Sequence, residues 1–315
     1  MAKLQSTEIV GVANRPATIC SNSVCMWFDT TNTKIVFSYC GFSGAGVWAT
    51  GGNLITARRF LAGAGTQNEA LSVGGLVSGP PGVSCVEEYN GTSWAVGGVL
   101  INARHCFPGA GSQNVGIVMG GIGMVNVACT EEYDGTSWVA GGALITARRG
   151  LADAGTQNET LAMGGVSLST CTEEYNGTSW SVGGIIPSAQ SQSVGFGTQN
   201  AAVVAGGSEG SLTFEYNGTS WSSSGALSVS GYYSASGGVQ DGGFVSARSF
   251  GGAFGCTEEY NGSNWATGGV LITIRRQAAG GGSVGAGIAF GGQNVANCNA
   301  TEEYNKPIVI IDAIK

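Results

Sequence analysis

The chain is poor in charge and poorer still in histidine. Of its 315 residues, 10% are charged and one, His105, is a histidine. Copper and zinc centres need several nitrogen or sulfur ligands, which one imidazole cannot supply. A Ser-His-Asp triad would also have to use His105, and no neighbour in the sequence is placed to orient it. The sequence therefore predicts that the protein is not an enzyme, with no catalytic residue, cofactor or metal site.

Clustered positive charge and long apolar runs are also missing. The 13 Lys and Arg residues are scattered and outnumbered by 20 Asp and Glu, which leaves a net charge of −7. Nucleic-acid binding needs clustered cations, and a membrane helix needs about 18 or more consecutive apolar residues. The opening MAKLQSTEIVGVANRPATIC has no secretory apolar core. We expect a protein made in the cytoplasm that neither binds nucleic acid nor inserts into a membrane.

Helical patterning is the third absence. Glycine occupies 56 positions, and no sustained apolar i, i+3, i+4 periodicity runs along the chain. Glycine destabilises helix interiors, whereas short apolar stretches bounded by Gly and Asn-Gly indicate strands and turns. The composition therefore predicts an all-β protein.

One eight-residue motif is written repeatedly. EEYNGTSW stands at 173–180, close copies stand at 87–94, 131–138, 214–221 and 258–265, and a sixth copy stops after EEYN at 302–305. The structural repeat positions are Trp48, Trp94, Trp138, Trp180, Trp221 and Trp265, with Tyr89, Tyr133, Tyr175, Tyr216, Tyr260 and Tyr304. Successive tryptophans are 46, 44, 42, 41 and 44 residues apart. Such a period is typical of β-propellers.

Residues 138–175 show how one unit folds. A strand of small residues at 150–154 suits the innermost position of a blade. A turn at 155–158 follows, and two further strands lie at 160–163 and 171–175. Asn176-Gly177 then predicts a tight hairpin, because both residues tolerate positive φ, leading into a fourth strand at Trp180. Four short strands of this kind form one propeller blade.

The two ends of the repeat array complement each other. The last EEYN lacks a tryptophan strand, and Trp48 lacks a Glu-Glu-Tyr strand before it. We predict that the strand around Trp48 completes the blade begun at 276–305, closing a six-bladed propeller. Closure removes the exposed edges that an open sheet would leave.

Three segments follow from this reading: an N-terminal attachment or hairpin segment at 1–40, the propeller at 41–305, and a C-terminal strand or tail at 306–315. The apolar C-terminal stretch could cap the ring, pair with residues 1–40 or pair with a neighbouring subunit. The units are least regular at Ser188-Ala189-Gln190, where Arg is expected, and around 229–252, where unit five is stretched.

The cysteines do not suggest a disulfide framework. Four of them stand four residues before a repeated tyrosine, at 85, 129, 171 and 256. Equivalent positions in different blades are too far apart for a disulfide, so we expect reduced and buried thiols. For Cys20, Cys25 and Cys40 the spacing leaves one disulfide or none open.

Paired carboxylates recur at Glu87-Glu88, Glu131-Glu132, Glu173-Glu174, Glu258-Glu259 and Glu302-Glu303. Two carboxylates across a cleft can hydrolyse a glycoside, but adjacent strand residues point to opposite faces. A catalytic pair also has no reason to recur in five units. We expect these residues to pair with arginines or to cap turns.

Arginines recur at the connection into each inner strand. Arg59, Arg104, Arg149 and Arg276 form a candidate binding collar that would grip an acidic sugar or a partner's carboxylate at the channel mouth. The alternative is a buried Arg–Glu contact between strands, which suits the forked geometry of guanidinium.

Two resemblances carry functional expectations. An apolar strand ending in Gly-Gly, a Glu-x-Tyr strand, a nearby Trp and a Leu…Ala-Arg segment resemble the kelch repeat over roughly 47–305. The stretch VCMWFDTTNTKIVFSYCGFSGAGVW at 24–48 is similar to Trp-x-Asp-x-Thr-Asn-x-Lys hairpins of bacteriophage tail fibres and other virion appendages. An alternative interpretation is a plain hairpin that extends the first sheet.

The phage resemblance implies a non-enzymatic virion protein: a tail fibre, spike or capsid-surface appendage. Its expected partners are other virion proteins and a host-surface glycan or protein, and a homo-oligomer is allowed. Recognition would lie in the loops that vary between units, at 76–84, 121–128, 206–212 and 292–299. The alternative is a cellular kelch-type scaffold that binds another protein.

Overall fold

The computed structural model describes residues 45–306 apart from 167–168, 209 and 250–251, together with the backbone of three strands at 24–29, 34–42 and 308–314. The chain divides into two compact units. One comprises residues 1–44 and 306–315, and the other comprises residues 45–305. All the regular structure among the described residues is strand.

The smaller unit contains a three-stranded antiparallel sheet. Val24–Asp29 and Lys34–Phe42 form the predicted N-terminal hairpin, and Ile308–Ile314 pairs with the second of these strands. The apolar C-terminal strand is thus paired with the N-terminal segment. The side chains of Cys20, Cys25 and Cys40 lie outside the described residues.

The larger unit is a six-bladed β-propeller, as the repeat predicts. Each blade is a four-stranded antiparallel sheet, numbered here from the innermost strand outward. Blade 1 consists of Ala62–Gly65, Ala70–Val73, Val86–Tyr89 and Trp94–Val96. Blade 2 consists of Gly109–Gly111, Gly116–Met119, Thr130–Tyr133 and Trp138–Ala140. Blade 3 consists of Ala152–Gly155, Thr160–Met163, Thr172–Tyr175 and Trp180–Val182. Blade 4 consists of Val194–Thr198, Ala201–Ala205, Thr213–Tyr216 and Trp221–Ser224. Blade 5 consists of Ala235–Val239, Gly242–Ser246, Cys256–Tyr260 and Trp265–Val270. Blade 6 consists of Ala279–Gly282, Ala286–Phe290, Thr301–Asn305 and Val47–Thr50.

Blade 6 closes the ring with a strand from the other end of the unit. Val47–Thr50 pairs antiparallel with Thr301–Asn305, and Trp48 lies opposite Tyr304. This pairing confirms the prediction from the truncated last repeat. Unit five is stretched because Arg248–Ser249 and Ala253–Phe254 form an additional two-stranded ribbon between its second and third long strands.

The Asn-Gly turn differs from the predicted tight hairpin. Tyr175 and Trp180 are paired across a four-residue loop, Asn176-Gly-Thr-Ser179, in which Gly177 alone has positive φ, at 85°. The Asn176 carboxamide oxygen instead accepts hydrogen bonds from the backbone N–H groups of Thr178 and Ser179, at 3.0 and 2.9 Å. The repeated Asn therefore acts through its side chain, which caps the turn.

A closed circle of tyrosine–glutamate hydrogen bonds joins the blades. In every blade the repeated tyrosine donates its hydroxyl to the second Glu of the preceding blade, as in Tyr89 to Glu303 at 2.8 Å. The other bonds run from Tyr133 to Glu88, Tyr175 to Glu132, Tyr216 to Glu174, Tyr260 to Glu215 and Tyr304 to Glu259. The second Glu of each pair is therefore a connector between blades.

Each repeated tryptophan packs on the tyrosine of its own blade and reaches back to the preceding one. The ring centroids of Tyr133 and Trp138 are 4.8 Å apart, and the other five pairs have similar separations. In five blades the indole N–H donates to a threonine hydroxyl of the preceding blade, as in Trp48 to Thr257 at 2.8 Å. Blade 1 has Val86 at the threonine position, so Trp138 donates to the Gly98 carbonyl. The core is correspondingly divided into six apolar clusters, each between two neighbouring blades.

We predict that Tyr133→Phe destabilises the propeller by about 1–3 kcal/mol, because it leaves the Glu88 carboxylate without its donor and the Gly98 N–H without its acceptor. Denaturant unfolding of both proteins measures the difference. Tyr232→Phe is the matched control, since Tyr232 lies outside the circle. Equal midpoints for the Tyr133 variant and the parent would contradict a structural role for the circle.

Alkaline pH should weaken the same circle. Burial, followed by the hydrogen bond to a Glu, raises the pKa of Tyr133 and of Tyr175 to about 12. The unfolded chain releases these protons near pH 10, so the contribution to stability is complete below about pH 10 and is lost as the pH rises through about 12. Urea midpoints should therefore fall between about pH 10 and pH 12. A constant midpoint over that range would show that the tyrosines titrate normally.

Candidate functional site

One face of the propeller carries all the loops that vary between units. This loop face is formed by the segments between the second and third strands of each blade, at 74–85, 120–129, 164–171, 206–212, 247–255 and 291–300. Isolated backbone bridges tie these segments to the start of the inner strands, for example Arg59 to Leu76, His105 to Ile122 and Arg276 to Gln293. The opposite face carries the repeated turns, a Gln turn in blades 1 to 5 and an Asn-Gly or Asp-Gly turn in the same five blades.

A closed ring of backbone hydrogen bonds surrounds the channel mouth on the loop face. Each blade contributes one residue to this ring, which is called the mouth ring below. Its members are Phe60, Cys106, Gly150, Gln192, Tyr233 and Gln277. Each N–H donates to the carbonyl of the preceding member at 2.8–3.0 Å, and Phe60 closes the ring by donating to Gln277. All six have φ between 50° and 63°, a region that non-glycine residues rarely occupy. The backbone polar groups of the mouth are therefore used internally, which leaves the side chains to contact a ligand.

Small residues line the channel behind the mouth ring. The channel has a cavity of about 200 Å³, and its walls are the six inner strands. Three residues after the mouth-ring member, five blades have Gly or Ser in the channel wall. Blade 3 has Asp153 at this position, and it is the single carboxylate among the lining residues. Removal from bulk water raises the pKa of Asp153 well above its ordinary value, although part of the side chain still faces the channel. From the mouth ring at 150, Asp153 lies about 10 Å along the strand.

The proposed arginine collar separates into two groups. Arg59, Arg149 and Arg276 occupy equivalent positions beside the mouth ring and are half-buried. His105, Ser191 and Tyr232 fill the same position in blades 2, 4 and 5, and the six residues together are called the collar below. Arg104 does not belong with them, because it lies one position earlier and is 1% exposed. Adjacent residues of extended backbone point to opposite sides, so Arg104 faces the interior.

Arg104 belongs to a second, buried set of arginines that pair with the first Glu of each repeated pair. Arg104 lies 3.3 Å from Glu131, and four equivalent ion pairs are Arg58–Glu87, Arg148–Glu173, Arg248–Glu258 and Arg275–Glu302. Each Glu also accepts backbone N–H groups of the connecting loop, as Glu87 does from Ile55 and Thr56. The expectation that these Glu residues pair with arginines and cap loops is confirmed.

The buried Arg–Glu ion pair is altered in blades 4 and 5, and in each blade a second residue changes with the arginine position. In blade 4 both charges are absent, since Gln190 stands at the Arg position and Phe214 at the Glu position. In blade 5 the loop position is Gly231, and Arg248 from the additional ribbon enters the space beside it. A Cβ on Gly231 would lie 2.7 Å from the Arg248 Cβ, so glycine is needed there. A buried Glu is thus never left without a cation in these blades.

The thiols beside these pairs are reduced but not buried as expected. Cys85, Cys129 and Cys256 are half-buried and Cys171 is exposed, and none forms a disulfide. They stand at the loop end of the third strand, where Arg58 donates to both the carbonyl and the sulfur of Cys85.

Neutral amides, not carboxylates, hold two of the collar arginines. Arg59 donates to the Asn297 carboxamide oxygen at 2.7 Å, and Arg149 donates to that of Asn126 at 2.8 Å. The described parts of the six loops contain no Asp or Glu, and Glu209 of the 206–212 loop lies outside the described residues. The guanidinium groups of Arg59 and Arg149 are therefore positioned by neutral acceptors, which leaves their positive charge at the channel mouth.

His105, Cys106 and Tyr233, also at the mouth, are uncharged at neutral pH. Burial, with the charges of Arg149 and Arg59, lowers the pKa of His105, whose Nδ1 lies 3.2 Å from the Pro81 carbonyl. Burial raises the pKa of Cys106 to about 11 and also raises the pKa of Tyr233, and these two side chains share a hydrogen bond. The Phe60 ring meets the Tyr233 ring edge-on with centroids 4.8 Å apart. An aromatic pair and neutral donors therefore lie inside a cationic rim.

Several loop tips expose apolar side chains. Met124 is 79% exposed and Val295 is 94% exposed, and Val77 and Leu212 are also exposed on neighbouring loops. Apolar tips around a polar centre are common at surfaces that contact other macromolecules.

Sequence reasoning missed the mouth ring, although a signal was present. Phe60, Cys106, Gln192, Tyr233 and Gln277 each stand 12 residues after a repeated tryptophan, as in Trp48 and Phe60 or Trp221 and Tyr233. This position differs in almost every unit, while the residue two places before it is Arg in four of the six units. Alignment of the units on tryptophan would have shown it.

These features define a six-bladed β-propeller with a cationic loop face. Neither the protein-family models nor the curated proteins include a match to the sequence. The described chain contains no helix able to span a membrane. Among the same residues, no three His, Cys, Asp or Glu side chains come together as metal ligands.

The natural change in blade 4 can be transferred to blade 3. Arg148→Gln alone should destabilise by about 3–5 kcal/mol, since it leaves Glu173 buried and unpaired. Adding Glu173→Phe, which copies Gln190 and Phe214, should recover most of that loss because no buried charge remains. Denaturant unfolding of the two single variants and the double variant gives the coupling free energy. Simple additivity of the two single effects would contradict the pairing.

Proposed function

We propose that the protein is a non-enzymatic bacteriophage virion structural protein whose loop face binds a host-surface glycan or protein. It would be a tail fibre, spike or capsid-surface appendage, made in the host cytoplasm and assembled with other virion proteins. The single observation that carries the binding role is the division between two sets of residues. Repeated residues join the blades, whereas residues that differ between units gather on one face.

The charged residues illustrate this division. The repeated Glu, Tyr and buried Arg side chains are engaged with one another, as at Arg148–Glu173 and Tyr175–Glu132. Arg59 and Arg149 instead have neutral partners and keep their charge at the mouth. Variable loops on a rigid scaffold are the usual place for recognition. Fold alone does not specify a function, so the proposal depends on this face.

The assignment to a virion is supported by sequence resemblance. The 24–48 stretch resembles virion-appendage hairpins, and the repeats resemble kelch units in their Gly-Gly, Glu-x-Tyr and Trp spacing. The hairpin strands Val24–Asp29 and Lys34–Phe42 are paired in register from Val24 opposite Tyr39 to Asp29 opposite Lys34. A folded hairpin unit is compatible with an attachment element.

Immunogold electron microscopy tests the proposal. Antibody raised against the purified protein is applied to virions prepared from the source of the sequence, with virions lacking the gene as the control. Gold at fixed sites on tails or capsids is the expected result. Unlabelled particles, with the protein found only in cells, would overturn the virion assignment in favour of a cellular kelch-type scaffold.

Host-cell binding tests the role of the loop face. The double variant Arg59→Gln/Arg149→Gln should weaken attachment of the fluorescent protein to host cells. Glu69→Gln, an exposed change on the opposite face, should leave attachment unchanged. Equal binding by all three proteins would show that another surface makes the contact.

A further inference from the structure

We infer that the channel mouth binds a carboxylate-bearing sugar residue, such as a uronate, with Arg59 and Arg149 on the carboxylate and the Phe60–Tyr233 pair against the sugar ring. This inference depends on the proposed function in one respect, that the loop face is the binding face. It names the chemical class of ligand that this face would recognise.

The first step is the selection of an anion. Arg59 and Arg149 stand on either side of His105 in the collar, and Arg276 stands in the blade before Arg59. The asparagine acceptors take one donor from each of Arg59 and Arg149, and a guanidinium has five. Free donors on a fixed, uncompensated guanidinium are suited to a carboxylate, which they can bind in bidentate fashion.

The second step is the preference for a small, ring-shaped polar ligand. Phe60 and Tyr233 are half-buried at the mouth, so parts of their rings remain accessible. An aromatic ring offers an apolar surface to the C–H face of a sugar, while a peptide carboxylate needs no such surface. The aromatic pair therefore favours a ligand that carries a ring beside its carboxylate.

The third step is the supply of hydroxyl partners. Gln192 and Gln277 are members of the mouth ring, and both residues are half-buried, so part of each remains accessible. A side-chain amide both donates and accepts hydrogen bonds, as the hydroxyl groups of a sugar require.

Among the residues that the structure describes around the channel, one group opposes an anion. Asp153 lies deeper in the channel, and its carboxyl would repel a carboxylate that entered that far. The anionic group is therefore placed at the rim, between the collar arginines, and not on the channel axis. The mouth-ring N–H groups are unavailable because each is bonded within the ring.

Titration calorimetry with three probes tests this site. The probes are an oligogalacturonate, a neutral galactose oligomer of the same length, and an oligoglutamate peptide with the same number of carboxylates. We expect the oligogalacturonate to bind, the binding to weaken with added salt, and the neutral oligomer not to bind. Arg59→Gln/Arg149→Gln should reduce the affinity about tenfold or more, and Glu69→Gln should not change it.

Phe60→Leu separates sugar recognition from simple charge attraction. It should weaken oligogalacturonate binding and leave any oligoglutamate binding unchanged. Equal affinity for the two anionic probes, with no effect of Phe60→Leu, would show that the mouth recognises carboxylates on peptides as readily and would overturn the sugar assignment. Circular dichroism of each variant identifies misfolding.

Failure of this inference is distinguishable from failure of the proposed function. If virions carry the protein and the loop face binds host cells, but no oligogalacturonate binds, the ligand class is wrong and the virion role stands. If the oligogalacturonate binds but virions are unlabelled, the site stands and the virion role is wrong.

Discussion

The propeller depends on the hydrogen bond between a tyrosine hydroxyl of one blade and a glutamate of the preceding blade. This bond occurs six times and returns to its starting point, because Tyr89 of blade 1 reaches Glu303 of blade 6. The apolar clusters lie in the same six interfaces, so the packing of each blade is aligned by a polar contact at its edge. A circle of this kind has no terminal member, and each blade is constrained from both sides. The repetition of Glu-x-Tyr in the sequence follows from that requirement.

The two glutamates of each repeated pair have different tasks because neighbouring strand residues face opposite sides. The second binds the tyrosine of the next blade, and the first binds a buried arginine and the loop that leads into its own blade. Blades 4 and 5 show how strict the charge balance is. Blade 4 loses Arg and Glu together, and blade 5 replaces a missing loop arginine with Arg248 from an additional ribbon. An unpaired buried charge is costly enough to couple these positions.

Most of the architecture could be predicted from the sequence because the same physical contacts recur at a regular spacing. The period gave six blades, and the truncated EEYN together with Trp48 located the seam. The arginine collar was harder to predict, because Arg58 and Arg59 are adjacent residues of the same type. Only their distance along the chain from Trp48 shows which one forms an interior ion pair and which one lies at the channel rim. Arg104 lies in the interior set and not in the collar, because it stands at the position of Arg58 and His105 stands at the position of Arg59. The mouth ring could not be recognised by residue type, since its members share a backbone conformation and not a side chain.

Because the mouth ring is held by the backbone, its side chains can be exchanged without loss of the ring. The mouth ring is held by main-chain hydrogen bonds that any residue except proline can make. Positive φ excludes β-branched residues but accepts the Phe, Cys, Gly, Gln and Tyr found there. The surroundings of the channel opening can therefore be exchanged one residue at a time while the six interfaces between blades stay as they are. A lineage carrying this fold could alter what it recognises faster than it alters its shape.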